Sequence, residues 1–344
     1  MVQGKIASLK KAKLSAEFAV SQRGRTPNHF VHEGNVGQKV AVIVPCYNEA
    51  KTISSVVEDF RRYLPEAEIY VFDNNSTDGT SDVARSAGAK VRRVALQGKG
   101  NVIRRMFADV EADVYVMVDG DATYDASVAP KLIKAMLDEG LDMVVGSRVS
   151  DEVTAYRSGH RFGNVMLTGF AATIFGRTFK DMLSGYRIFS RRYVKSFPAH
   201  AHGFETETEL AVHALELRMP VAEIETRYGS RPEGSESKLN TYRDGIRILM
   251  TILRLFKLER PFAFFGICFV ICMLLAVGLA VPLLGTYLET GLVPRVPTAL
   301  LCVALSVVGF LFLVCGLILD TVTKGRLEAK RLAYLMIPGP GQQP

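Results

Sequence analysis

Apolar and polar positions alternate between residues 39 and 149 in a pattern that predicts a sheet covered by helices. Apolar runs occupy residues 40–45, 68–73, 113–119 and 142–147, and they alternate with stretches of helical periodicity near 50–63, 79–88, 100–110 and 127–139. This alternation is typical of an α/β fold with a mainly parallel sheet. Ligands of such folds bind at the carboxyl ends of the strands, so the polar residues that follow these runs form the candidate site.

Two longer apolar runs lie near the end of the chain. Residues 261–288 and 296–319 contain no charged residue, and each run exceeds the roughly 20 residues that cross a bilayer. Basic residues flank the pair on both outer sides, while the connecting loop carries only Arg295. Because basic residues stay on the cytoplasmic side, we expect a multi-pass protein of the cytoplasmic (inner) membrane whose large N-terminal part faces the cytoplasm.

The net charge of +7 fits this placement. No nucleic-acid-binding motif accompanies the charge, so attraction to anionic lipid headgroups is the simpler interpretation. Residues 1–38 are polar and basic, which predicts a flexible extension without a signal peptide. The pattern of residues 236–260 predicts an amphipathic helix in the membrane interface. Residues 162–179 are a weaker candidate for a second interface segment, and for them packing in the protein core is the competing interpretation.

Two acidic residues lie at the end of the apolar run 113–119. Asp119 is the last residue of the run, and Asp121 follows two positions later. Two carboxylates at a strand end can share Mg²⁺ or Mn²⁺, which would bridge the diphosphate oxygens of a nucleotide. Gly120 between them permits close approach of a ligand. In isolation the triplet fits a solvated turn or a helix cap equally well.

The loops after the first two predicted strands favour a ligand-binding role for the acidic pair over a solvated turn. Residues 45–49 read Pro-Cys-Tyr-Asn-Glu, and residues 73–80 read Asp-Asn-Asn-Ser-Thr-Asp-Gly-Thr. Together with the acidic triplet, they resemble the family 2 glycosyltransferases, whose A-type fold is Rossmann-like. The resemblance implies that a nucleotide-sugar donor is bound by Pro45, Tyr47, Asn48, Glu49, Asp73, Lys99, Asp119, Gly120 and Asp121. By this resemblance, Asp73 would accept a hydrogen bond from the base or ribose, Tyr47 would flank the base, and Lys99 would approach the nucleotide.

Later residues resemble a narrower subgroup, the dolichol-phosphate mannose synthases and the bacterial polyisoprenyl-phosphate (undecaprenyl-phosphate) glycosyltransferases. The resemblance covers roughly residues 39–330 and rests on Gly146-Ser147-Arg148, on residues 181–187 (DMLSGYR), on 203–205 (GFE), and on Arg231, Ser237 and Lys238. It implies that Asp121, Arg148 and Arg187 act in catalysis. The acceptor phosphate would be bound by Arg148, Arg187, Arg231 and Lys238. One departure is Thr123, where the mannose synthases carry a glutamine that helps hold the metal.

The resemblance implies an inverting, metal-dependent transfer of a sugar to a polyisoprenyl phosphate for cell-envelope glycan modification. A lipid phosphate is already ionised near neutral pH, so it can attack the anomeric carbon without a strong base. A UDP-hexose or UDP-hexuronic acid is the favoured donor, and GDP-mannose stays open. Two-span bacterial relatives imply a homotetramer, with Gly266, Ala276, Gly309 and Gly316 as close-packing positions in the membrane.

The predicted domain order is an extension (1–38), a catalytic domain (39–235), an interface helix (236–260), a two-helix anchor (261–330) and a cytoplasmic tail (331–344). Two alternatives stay open: transfer to a lipid hydroxyl with Glu205 as base, and a membrane-tethered nucleotide-sugar binding protein without activity. A processive polysaccharide synthase is disfavoured because the chain has no tryptophan for the Q-x-x-R-W motif. A dehydrogenase is disfavoured because no G-x-G-x-x-G turn follows the first strand.

Overall fold

The computed structural model describes residues 38–149, 169, 179–199, 206–229, 250 and 253–341. Within these ranges seven strands form one sheet: β1 Val40–Cys46, β2 Glu68–Asp73, β3 Lys90–Arg93, β4 Val114–Met117, β5 Met143–Val149, β6 Arg187–Ser190 and β7 Val221–Arg227. The helices are α1 Ile53–Tyr63, α2 Thr80–Ser86, α3 Lys99–Asp109, α4 Ala129–Glu139, α5 Arg191–Ser196, α6 Thr206–Glu216, α7 Pro261–Thr290 and α8 Val296–Leu335.

The strand order is β3-β2-β1-β4-β6-β5-β7. The four predicted strands are β1, β2, β4 and β5, and the predicted α/β fold is confirmed. The sheet is mixed, because β6 runs antiparallel between β4 and β5 while the remaining neighbours pair in parallel. In this register Arg187, the first residue of β6, lies beside Met117 at the end of β4. The turn that precedes β6 therefore reaches the carboxyl edge of the sheet, next to the acidic pair.

Each face of the sheet is covered by its own apolar cluster. Alternate residues of β1 point to opposite sides, so that Ile43 packs with α3, α5 and α6 while Val44 packs with α1 and α4. The first cluster is rich in aromatic side chains, among them Phe107 and Phe189 with ring centroids 5.6 Å apart. Burial on both faces explains why the central strands are continuous apolar runs rather than alternating ones.

The helices α7 and α8 are each long and apolar enough to cross a membrane, and most of their large apolar side chains face outward. They form a hairpin that turns at Gly291, which adopts a left-handed φ of 68°. Added Cβ atoms at Gly309 and Gly316 would lie 3.3 Å from the Cβ of Cys272 and 3.1 Å from the Cβ of Phe265. These two glycines thus allow close packing within one hairpin, whereas the predicted role was contact between chains.

The helix α8 continues beyond its apolar part and returns to the sheet domain. Near its end, Lys330 Nζ lies 2.6 Å from Glu216 Oε2, and the Tyr334 hydroxyl donates to Asp142 Oδ2 at 2.8 Å. Arg192 lies over the Tyr334 ring, 4.6 Å from its centroid. The anchor was predicted to end at residue 330, but the helix extends to Leu335 and its last turns dock onto the sheet domain.

Two membrane-interface predictions fall mostly outside the described residues. Of residues 236–260, only 250 and 253–260 are described, and 253–259 are helical. Of residues 162–179, only Gly169 and Phe179 are described. Residues 1–37 of the N-terminal extension also lie outside.

Candidate active site

The loops after β1 and β2 are joined by a set of short hydrogen bonds. Asn48 N donates to Ser76 Oγ at 2.9 Å, and Asn48 Oδ1 accepts from Thr77 N at 2.9 Å. Glu49 N donates to Thr80 Oγ1 at 2.9 Å. Asn48 adopts a left-handed φ of 54°, a conformation that asparagine tolerates better than most residues. The nucleotide loops predicted from sequence are thus one rigid unit.

The carboxylate of Asp73 lies beneath this unit. Its Oδ1 accepts from Ser76 N at 2.9 Å and its Oδ2 from Ser81 Oγ at 2.5 Å, and the residue is almost fully buried. Pro45 precedes the loop in β1, while Tyr47 projects outward with 39% of its surface exposed. Tyr47 is therefore placed to meet a planar ligand, whereas the observed bonds of Asp73 hold the loop in shape.

Asn74 positions the start of α3. Its Nδ2 donates to the carbonyls of Val94 and Leu96 at 3.0 and 2.7 Å, and its Oδ1 accepts from Gly98 N at 2.7 Å. Gly98 has a φ of 125°, which a residue with a side chain rarely adopts. These bonds fix the loop from which Lys99 enters the site, a role for Asn74 that the sequence analysis missed.

The acidic pair lies just beyond β4. Asp121 is buried, and its Oδ1 accepts from the Thr123 hydroxyl at 2.6 Å. Thr123, the departure from the family pattern noted in the sequence, therefore orients Asp121 through its hydroxyl. The Gly120 carbonyl accepts from Thr52 Oγ1 at 2.7 Å, and a Cβ on Gly120 would lie 2.6 Å from Cys46 Sγ. The glycine is required by close packing against β1, a reason different from the predicted ligand approach.

A lysine bridges two carboxylates at this edge. Lys99 Nζ lies 2.6 Å from Asp119 Oδ1 and 2.5 Å from Glu207 Oε1 in α6. Burial lowers the pKa of Lys99, but Asp119 and Glu207 raise it by more, so the net shift is well above its ordinary value. Lys99 is a fixed cation at the acidic pair.

Four carboxylates act electrostatically on the buried Cys46 thiol. Burial raises the pKa of Cys46, and the charges of Glu49, Asp73, Asp119 and Asp121 raise it further. These four acids were predicted to share one site, and the structure brings them together around the end of β1. A concentration of negative charge of this kind attracts cations.

The turn before β6 touches the acidic pair. A Cβ on Gly185 would lie 2.8 Å from Asp119 Cγ, so only glycine fits beside this carboxylate. Gly185 N donates to the Tyr124 hydroxyl at 2.9 Å. Burial raises the pKa of Tyr124, and the charge of Asp119 raises it while that of Arg148 lowers it, so the pKa lies above its ordinary value.

Arg148 is held by Asp181 in a bidentate pair. Its Nε and Nη2 lie 2.7 and 2.8 Å from Asp181 Oδ2 and Oδ1, and its guanidinium carbon lies 5.4 Å from the Tyr228 ring centroid. Burial raises the pKa of Asp181, but Arg148 lowers it by more. The two contacts fix the plane of the guanidinium at the edge of the site, with 18% of the side chain exposed.

Arg187 is not at the surface of the site. Its side chain is fully buried, and its Nε and Nη2 donate to the backbone carbonyls of Ser184 and Met182 at 2.9 and 2.5 Å. Direct contact with an acceptor phosphate, as predicted, does not fit this position. Arg187 instead ties down the turn that carries Gly185 against Asp119.

A divalent metal fits the residues present. Asp119 and Asp121 supply hard carboxylate oxygens, and the ammonium of Lys99 demonstrates that a cation is accommodated at Asp119. Among the described residues no cluster of three or more acidic, histidine or cysteine side chains could hold a metal by itself. A metal here would complete its coordination with donor phosphates and water, which is usual for Mg²⁺.

Two predicted acceptor ligands, Arg231 and Lys238, lie outside the described residues, as does Glu205. The sequence analysis assigned no role to Glu207 or to Asp181. Asp181 lies inside the motif of residues 181–187, so that motif was the available signal. Nothing in the sequence pairs Lys99 with Glu207, which lies more than one hundred residues later.

Comparison with known proteins agrees with this geometry. The family model for glycosyl transferase family 2 matches residues 41–197. The glycosyltransferase AglJ of Haloferax volcanii is 38% identical over 229 residues, which cover 66% of this chain and 75% of AglJ. The chain belongs to glycosyl transferase family 2. The recognition of this family from sequence is therefore confirmed, and the chain is a glycosyltransferase.

Two further comparisons show lower sequence identity to this glycosyltransferase. A dolichyl-phosphate hexose transferase of Haloferax volcanii is 27% identical over 221 residues, covering 64% of this chain and 95% of the relative. Among solved structures, glucosyl-3-phosphoglycerate synthase from Mycobacterium tuberculosis in complex with Mn²⁺, UDP and glucosyl-3-phosphoglycerate matches with a TM-score of 0.51 and 24% identity, over 64% of this chain and 80% of that one. This structural similarity establishes the shared fold.

Proposed function

We propose that this glycosyltransferase moves a hexose or hexuronic acid from a nucleotide-sugar, with UDP as the favoured nucleotide, to a polyprenyl phosphate. The observation that carries the proposal is the position of the acidic pair: Asp119 and Asp121 follow β4, where Gly120 packs against Cys46 and Gly185 lies against Asp119. The dolichyl-phosphate hexose transferase among its relatives supports the acceptor class. The Mn²⁺ and UDP in the related synthase structure support the donor and cofactor.

On the donor side, the joined loops after β1 and β2 provide a rigid cleft edge with Tyr47 exposed beside it. Asp119 and Asp121 would hold Mg²⁺ or Mn²⁺ at the diphosphate. When bound, the metal neutralises charge on the departing nucleotide. Lys99, the neighbouring cation, adds a second positive group on the same side.

On the acceptor side, Arg148 is the described cation with the geometry for a phosphate. Asp181 holds its plane, and the remaining face of the guanidinium is partly exposed. Arginine binds phosphate through parallel hydrogen bonds, which orients the acceptor as well as attracting it. Arg231 and Lys238 complete the proposed acceptor set, and Arg187 supports it from beneath through the turn at Ser184.

The reaction we propose is a single displacement. An oxygen of the ionised lipid phosphate attacks the anomeric carbon, the bond to the nucleotide diphosphate breaks, and the configuration inverts. The chain's residues orient two anions that repel each other, and no general base is required because the phosphate is already deprotonated.

The membrane anchor fits a lipid acceptor. Two helices long and apolar enough to cross a membrane follow the catalytic domain, and the docked end of α8 limits the distance between active site and bilayer. We propose a topology with the catalytic domain on the cytoplasmic side, from the basic flanks of the helices. A homotetramer remains part of the proposal, from the two-span relatives rather than from contacts in this chain.

The test is a transfer assay with purified full-length protein, undecaprenyl phosphate, Mn²⁺ and a panel of UDP- and GDP-sugars. We expect one donor to give a lipid-linked product and Asp121→Asn to abolish it while retaining the far-UV circular dichroism of the parent. Asp138→Asn, which removes a carboxylate from an exposed ion pair with Lys134 in α4, is the matched control and should retain activity. Full activity of Asp121→Asn would remove the metal from the proposal.

A further inference from the structure

Lys99 occupies the position at Asp119 that a metal would share. Its Nζ is 2.6 Å from Asp119 Oδ1, and only 14% of the lysine side chain is exposed. A surface lysine exchanges its partners freely with water, but a buried ammonium needs permanent counter-charges. Here the counter-charges are Asp119 and Glu207, which belong to different parts of the sequence.

An ammonium and a divalent cation that both lie against Asp119 compete for the negative charge of its carboxylate. Two like charges a few ångströms apart in a partly buried site repel each other strongly. The hydrogen bond from Lys99 occupies one acceptor site of Asp119 Oδ1, which leaves a metal the other lone pair and Oδ2. Because the two cations repel each other, metal binding at Asp119 favours a Lys99 that turns towards another anion.

Glu207 keeps Lys99 within reach of the site. It lies in the first turn of α6, its Oε1 is 2.5 Å from Lys99 Nζ, and its Oε2 is buried without a hydrogen-bond partner among the described residues. A carboxylate in such a position is costly without a cation. Glu207 thus retains the lysine even when Asp119 releases it.

We propose that Lys99 is a resident counter-cation that competes with the divalent metal for Asp119, and that Glu207 is the positioning residue that holds it there. The diphosphate of the donor would give Lys99 a replacement anion at the moment the metal takes Asp119. Metal and nucleotide then bind cooperatively, and the metal alone binds weakly. This inference rests on the metal and nucleotide-sugar of the proposed function.

The experiment measures Mn²⁺ binding to the purified full-length protein by electron paramagnetic resonance, with and without UDP. Lys99→Met should bind Mn²⁺ about tenfold more tightly than the parent in the absence of UDP, and the enhancement of Mn²⁺ affinity by UDP should fall by a similar factor. Lys99→Arg keeps the charge and should resemble the parent. Lys134→Met removes the same charge from an exposed ion pair with Asp138 and should change nothing.

Lys99→Met leaves the buried Glu207 carboxylate without its cation. The double variant Lys99→Met with Glu207→Gln removes that charge as well and is measured beside the single variant. It should also bind Mn²⁺ more tightly than the parent, since the competing ammonium is gone. If both variants bind Mn²⁺ no more tightly than the parent, the inference is overturned. If the parent binds no Mn²⁺ even with UDP, or if Asp121→Asn binds it equally well, the metal of the proposed function fails instead.

Discussion

The contact between Gly120 and Cys46 gives a quantitative prediction about how the acidic pair is positioned. Gly120 does not adopt a left-handed φ, so alanine is compatible with its backbone. An added Cβ would nevertheless lie 2.6 Å from Cys46 Sγ, although its contacts with Ile53 and Val44 would be ordinary at 3.6 Å. Overpacking of this kind costs about 1–3 kcal/mol. Gly120→Ala should therefore destabilise the domain because the new Cβ clashes with one atom, Cys46 Sγ.

The assay is thermal unfolding followed by near-UV circular dichroism, which reports the packing of the 12 tyrosines in a chain that has no tryptophan. A loss of 1–3 kcal/mol lowers Tm by roughly 2–4 °C for each kcal/mol in a domain of 150–250 residues. Cys46→Ala removes the sulfur, so the double variant with Gly120→Ala should be more stable than Gly120→Ala alone. If the two substitutions instead add their costs, the clash with sulfur is not what makes glycine necessary.

Three further predictions follow from the site and its support. Thr123→Val removes the donor to Asp121 and should weaken Mn²⁺–UDP binding roughly fivefold, with Thr123→Ser close to the parent in the same titration. Arg187→Met leaves two buried carbonyls without donors and should cost about 1–3 kcal/mol in thermal unfolding, of which Arg187→Lys recovers only part. Burial and then the neighbouring Glu216 raise the pKa of Glu259 from 4.5 to about 7. The folded chain therefore keeps a proton that the unfolded chain loses, stability falls as pH rises through that interval, and Glu259→Gln should flatten the dependence of Tm on pH.

The central strands could be predicted because their sequence and their environment agree. β1, β2, β4 and β5 are runs of β-branched and apolar residues, which is what burial on both faces of a sheet requires. The other strands give no such signal. β3 reads KVRR at an edge of the sheet, and β6 reads RIFS and begins with a buried arginine. Their place depends on pairing with distant strands, which no local pattern reveals.

The candidate site also contains residues whose positions could be predicted from sequence and residues whose positions could not. Residues that follow predicted strands directly, such as Asp119 and Glu49, were placed correctly at one edge, because parallel strands bring their carboxyl ends together. The antiparallel insertion of β6 was not foreseen, and it decides the position of Arg187 beneath the site. The partners of Lys99 and Arg148 depend on the same long-range packing, so their ion pairs were found only in the structure.

The chemical nature of the product tests the central claim most directly. Lipid extracted after incubation of the protein with undecaprenyl phosphate and its preferred nucleotide-sugar can be analysed by ³¹P NMR and by mild acid treatment. The account predicts conversion of the phosphomonoester into a phosphodiester that releases the sugar in mild acid. A sugar that resists this treatment, with the lipid phosphate unchanged and a lipid hydroxyl glycosylated instead, would contradict it.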